Sequence, residues 1–198
     1  IRHLWIDSLC ILQDDPKDFE REGTAMHKTY SMATCTIAAS SSSSGQGGCL
    51  IPRDDNSPAQ LQPCNLTFNN QTITIHPWSN EWCNYHRGPL STRGWCFQER
   101  ELSRRTLHFT THRIFWECRT AIASEDHPSM INLGDRSFMP LSHTRPLATK
   151  LWCRAVQEYT RRNLTFRKDR LPAIYGIARI ISAVIRDEYV AGIWLCDF

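Results

Sequence analysis

The chain has 198 residues, 41% of them hydrophobic and 22% charged, which is ordinary globular usage and excludes a disordered chain. A net charge of +3, with basic residues scattered among acidic ones, excludes a nucleic-acid-binding stripe. The longest apolar stretch, residues 171–185, is too short and carries Arg179, so it reads as a core helix and not a membrane span.

In chain order, residues 3–7 form a short apolar run ending in Asp7-Ser8, the pattern of a buried strand with polar groups at its carboxyl end. Asp15-Pro16 supplies a helix N-cap and a first-turn proline, and Phe19, Met26, Tyr30 and Ala33 follow at helical spacing. Residues 34–39, small and β-branched, predict a second buried strand, so strand, helix and strand together predict a βαβ unit and the α/β class. The serine- and glycine-rich run 40–48 is either a flexible loop or a ligand-facing loop at the carboxyl edge of the sheet. Loops are expected over 51–90, broken by one strand at 71–76.

Ser91 or Thr92 is placed to cap a helix over about 93–103. Leu107 and Phe109 alternate with polar neighbours, and after a turn near Thr111-His112 the run 114–118 completes a hairpin. Residues 119–147, with Pro128, Pro140 and Pro146, predict a proline-bearing loop. Two amphipathic helices follow, one through Leu151, Trp152, Ala155 and Tyr159, the other over about 169–185.

Nine cysteines at irregular spacing, none in a C-x-x-C motif and most inside apolar runs, predict packed thiols, no disulfides and a cytoplasmic setting. The N-x-T tripeptides at Asn65, Asn70 and Asn163 then read as accidental. Cys10 is expected to be a core thiol, not a nucleophile, since no base lies near it in sequence. Cys83-x-x-His86 and His108-x-x-x-His112 have zinc-ligand types, but the second pair spans a hairpin, and no resident metal is expected.

Three segments stand out together. The first is Leu4-Trp5-Ile6-Asp7-Ser8-Leu9-Cys10-Ile11, with Glu22, Met26 and Tyr30 behind it. The second is Arg93-Gly94-Trp95-Cys96-Phe97-Gln98-Glu99-Arg100-Glu101-Leu102, with Phe115-Trp116-Glu117-Cys118 behind it. The third is Asp169-Arg170-Leu171-Pro172-Ala173-Ile174-Tyr175-Gly176, with Tyr189 and Trp194 behind it. In this order and spacing they resemble the fungal heterokaryon-incompatibility domain family. The resemblance implies a domain core over 1–120, a helical continuation over 121–198, and an opening strand upstream of Ile1, without which the piece should be unstable. It also implies an effector of programmed cell death after nonself recognition, acting in the cytoplasm with copies of itself or other incompatibility proteins, and needing no cofactor.

That family is distantly similar to the Toll/interleukin-receptor fold, which implies a flavodoxin-like parallel sheet with helices, here extended by the hairpin and the C-terminal helices. Some members of that fold hydrolyse NAD with a glutamate in a W-C-x-x-E helix, and Trp95-Cys96-Phe97-Gln98-Glu99 is similar to that pattern. On a helix Trp95 and Glu99 share a face. Glu99 is then either one half of a Glu–Arg pair or a catalytic carboxylate that stabilises an oxocarbenium-like transition state. Trp95, Gln98 and Arg93 beside it, with Asp7 and Ser8 at the strand end, are the candidate substrate-binding residues; Asp7 has the alternative of capping the next turn. Glu22, on its helix's apolar stripe, is read as structural.

Overall fold

The computed structural model describes residues 2–50, 52, 64–69, 71–75, 88–125, 128–132 and 144–197. It is a mixed α/β fold with a hairpin and C-terminal helices, as the sequence predicts. A five-stranded sheet runs in the order β1-β4-β5-β6-β7, the strands being β1 (Thr36–Ala38), β4 (Arg105–Phe109), β5 (Ile114–Cys118), β6 (Ala121–Ser124) and β7 (Ile131–Asn132). β1 and β4 are parallel, with Ala38 opposite His108, and the remaining pairs are antiparallel. Two small antiparallel pairs stand apart: β2 (Cys64–Phe68) with β3 (Gln71–Ile75), and β8 (Tyr189–Val190) with β9 (Ile193–Trp194).

The N-terminal βαβ unit does not form. Residues 3–6 are irregular and Asp7–Cys10 is a single helical turn, α1. Among the described residues no strand lies beside the run to satisfy its backbone, and Leu4 and Leu9 are exposed. The parallel connection is instead a crossover from β1 to β4 through helix α3 (Cys96–Leu102). Helix α2 (Pro16–Met32) starts where Asp15-Pro16 predicts, with Lys17 N–H donating to the Asp15 carboxylate at 2.9 Å. α3 is shorter than predicted at its start. Asn163 pairs with this segment through Gly94 N–H to Asn163 O and Asn163 N–H to Thr92 O, both 2.7 Å, and so draws Arg93 into extended backbone.

The expected 119–147 loop is also corrected, because β6 and β7 lie within it and β6 is buried along its whole length. Four consecutive buried residues carry no alternation for the sequence to reveal. The strand at 71–76 is found as β3, to Ile75, with β2 as an unforeseen partner; His76 lies outside the described residues.

The main core lies between α3, α4 (Arg145–Thr160) and α5 (Pro172–Ile185). α4 buries Ala148, Trp152, Ala155 and Tyr159, one stripe of a 3.6-residue repeat. α5 buries Ile174, Ile177, Ile181 and Ile185, each such side chain contributing about 1.5–3 kcal/mol relative to exposure. No described helix is long and apolar enough to cross a membrane.

Gly176 is the point where α5 crosses α3 and α2. A Cβ there would stand 2.7 Å from Gln98 Oε1 and from His27 Cβ, and 3.0 Å from Leu102 Cδ1. Since His27 Cβ is fixed to its backbone, Gly176→Ala should destabilise the fold by about 1–3 kcal/mol, outweighing the gain in helix propensity. Urea unfolding checks this; a midpoint equal to or above wild type would disprove the tight crossing.

Among the eight described cysteines, the packed environment expected of them holds only for Cys96. Cys10, Cys64, Cys153 and Cys196 are exposed and the others half-buried. Cys10 sits on α1, a surface turn, so a short apolar run around a thiol did not indicate a core position.

Candidate functional site

α3 is anchored on three sides. Gln98, 1% exposed, accepts a hydrogen bond from Gly176 N–H at 3.1 Å. Ser103 Oγ donates to Glu99 O and meets Thr36 Oγ1, both at 2.6 Å, tying the helix end to β1. Trp95 donates its indole N–H to Asp169 at 3.1 Å and meets Phe19 edge-on at 6.0 Å between ring centroids. Both faces of the helix are therefore held, and Glu99 emerges between them, partly exposed.

The Tyr30 hydroxyl on α2 and the Cys96 thiol one turn back neighbour the Glu99 carboxylate and favour its charged form. Among the described residues it has no salt bridge. Burial pushes its pKa above the ordinary 4.5; the Asp7 charge adds to the rise, while Tyr30, Arg93 and Cys96 oppose it. The same surroundings hold the Tyr30 phenol and the Cys96 thiol protonated, above their ordinary values, mainly by burial and next by the charge of Glu99. Trp5 meets Tyr30 edge-on at 5.7 Å, so the N-terminal segment covers this part of α2.

Of the residues the sequence singles out, the structure brings Glu99, Asp7 and Arg93 within electrostatic reach of one another. The Asp7 carboxylate accepts Ser8 N–H at 2.8 Å without capping the turn, and Ser8 is exposed beside it. Trp95 and Gln98 are turned into the packing of α3, as described above. The expected alternative of a Glu99–arginine pair is not formed. Arg100 instead grips Glu117, with Nη2 2.7 Å from Oε1 and Nε 3.0 Å from Oε2. Glu22 pairs with Arg21 at 3.2 Å.

Sequence reasoning missed Tyr30 and Cys96 as partners of Glu99. Tyr30 belongs to the apolar stripe of α2, and nothing in that stripe says where its hydroxyl ends up. A second array was also missed: Ser40 Oγ lies 3.0 Å from His108 Nδ1, and His108 Nε2 lies 2.7 Å from Glu117 Oε2. Ser40 and His108 are 5% and 3% exposed. The Ser40 carbonyl is also covered by Gly88, where a Cβ would come within 2.0 Å of it. A serine so enclosed has no approach for a substrate, and the array holds β1, β4 and β5 together. It also engages His108 away from His112; Cys83 and His86 lie outside the described residues.

Glu99 thus combines the features expected of a functional carboxylate: a raised pKa, a hydroxyl and a thiol as neighbours in place of a counter-ion, and a rigid support. Searches of curated proteins and of solved structures gave no match. A family profile described as heterokaryon incompatibility protein (HET) matches residues 1–99, half of the chain, from the N-terminal segment over Tyr30 to Glu99 itself. On that match, the chain belongs to the heterokaryon incompatibility family.

Proposed function

We propose that the chain carries out the role in heterokaryon incompatibility that its family membership supports as an effector of programmed cell death in the fungal cytoplasm, by cleaving the nicotinamide–ribose bond of NAD or a related nucleotide. The observation that carries the reading is Glu99: a partly exposed carboxylate, on a helix anchored by neighbouring elements, beside the Tyr30 hydroxyl and the Cys96 thiol and with no salt bridge among the described residues.

In this reaction the C–N bond to the cationic pyridinium breaks, both its electrons go to nicotinamide, and a ribosyl oxocarbenium ion forms. Water adds at the anomeric carbon and loses a proton, giving nicotinamide, ADP-ribose and H⁺. Nicotinamide leaves as a neutral base, so no strong general acid is required. Glu99 in its ionised form stabilises the cation, an electrostatic contribution to the transition state. Tyr30 and Cys96 favour the charged form of the carboxylate; the exposed Arg93 meets a phosphate, and the exposed Asp7 and Ser8 take ribose hydroxyls. Trp95 and Gln98 hold the helix in place.

Incubating the purified chain with NAD and measuring free nicotinamide tests the proposal: steady release above the spontaneous rate supports it, and no release from well-folded protein rejects it. A second reading is a non-enzymatic assembly module. The high exposure of Leu4 (74%), Leu9 (79%) and Met32 (79%) favours it, since exposed apolar side chains suit contact with another copy.

A further inference from the structure

A cavity of about 590 Å³ opens between α4, the turn at Arg167–Arg170, the start of α5 and the β8–β9 hairpin. That volume lies in the range of small-molecule sites, which run to about 300–1,000 Å³. Its walls include the rings of Trp152, Tyr159 and Tyr189, and Arg162, Arg167 and Arg170 also line it. No aspartate or glutamate is among the lining residues. Arg167 and Arg170 are exposed and form no ion pair among the described residues. Arg162 lies over the Phe97 ring at 4.8 Å, and burial lowers its pKa. The Tyr189 hydroxyl is buried without a hydrogen-bond partner.

Arg162 feels the charges of Glu101 and Glu158, whereas the exposed Arg167 and Arg170 form no ion pair among the described residues and are open to an anion. Arginine forks match phosphate oxygens, and aromatic walls match a flat apolar ring. We propose that this cavity binds a nucleoside phosphate, with its base against the aromatic wall and its phosphate at Arg167 and Arg170. It is a site separate from Glu99: none of Glu99, Tyr30, Cys96 and Asp7 lines it. The inference does not rest on NAD cleavage.

Isothermal titration of the full chain with AMP, adenosine and inorganic phosphate tests it. AMP should bind saturably at one site, with adenosine and phosphate each weaker by roughly tenfold or more, since each lacks half of the recognition. The double variant Arg167→Glu/Arg170→Glu should weaken AMP by roughly tenfold or more while its thermal unfolding stays unchanged, both side chains being exposed. Glu99→Gln should bind AMP as wild type does. The proposal is overturned by absence of saturable AMP binding, by adenosine or phosphate binding as tightly as AMP, or by a folded double variant that retains full affinity. Loss of binding in Glu99→Gln would overturn it too, by assigning AMP to the Glu99 site.

Discussion

Glu99→Gln is expected to lower nicotinamide release by about a hundredfold or more, because the charge acts mainly on the transition state. Its thermal unfolding at neutral pH should be unchanged or slightly raised. Glutamine keeps a polar side chain beside Tyr30 and removes a half-buried charge that has no salt bridge among the described residues. The sign follows from linkage. The folded-state pKa of Glu99 lies above 4.5, so the folded state binds more protons than the unfolded state as pH rises past that value, and this group's contribution to stability falls with pH. Any stability advantage of the variant should therefore appear above about pH 4.5 and vanish below it. In wild type the rate should rise with pH as Glu99 ionises, with a midpoint above the ordinary carboxylate value. A folded variant that releases nicotinamide as fast as wild type removes Glu99 from the mechanism. A strongly destabilised one shows that the carboxylate is structural.

The opposite pair of outcomes is expected at Glu117. Burial alone would raise its pKa, but hydrogen bonds from His108 and Arg100, with the charge of Arg100, hold it well below the usual carboxylate range. Glu117→Gln removes the charge, loses the two-pronged grip of Arg100, and sets an amide donor against a donor. Breaking such a pair should destabilise the fold by about 3 kcal/mol at neutral pH. For a chain of this size that lowers the thermal midpoint by about 6–12 °C. The pair's contribution is present above the unfolded pKa near 4.5 and is lost as pH falls through the lower folded value, so the gap between the two proteins should narrow in acid. Thermal unfolding from pH 7 downward measures this. A gap below about 1 kcal/mol at pH 7, the value of an exposed pair, would mean that the Arg100–Glu117–His108 array does not hold the strands.

The two glutamates show how much of the site was legible in the sequence. Glu99 and Glu117 both lie in segments that resemble the family, and Arg93, Arg100, Arg104 and Arg105 surround the first in sequence. From sequence alone an arginine partner for Glu99 was as reasonable as a catalytic role. The structure gives the arginine to Glu117, because the β4–β5 hairpin carries Glu117 under the α3 face that presents Arg100. The hydroxyl that neighbours Glu99 instead belongs to Tyr30, sixty-nine positions earlier by the numbering and on another helix.

By itself the sequence determined the elements whose signals are local. These are the Asp15-Pro16 start of α2, the β4–β5 hairpin, the buried stripes of α4 and α5, and the W-C-x-x-E turn that puts Trp95 and Glu99 on one helix. Only the tertiary structure decided the partners. An apolar run becomes a strand only where another strand meets its backbone; β1 has β4, whereas residues 3–6 have no such neighbour among the described residues and are irregular. A carboxylate acquires its pKa from the charges, donors and burial that packing brings to it, and those contacts join residues far apart in the chain.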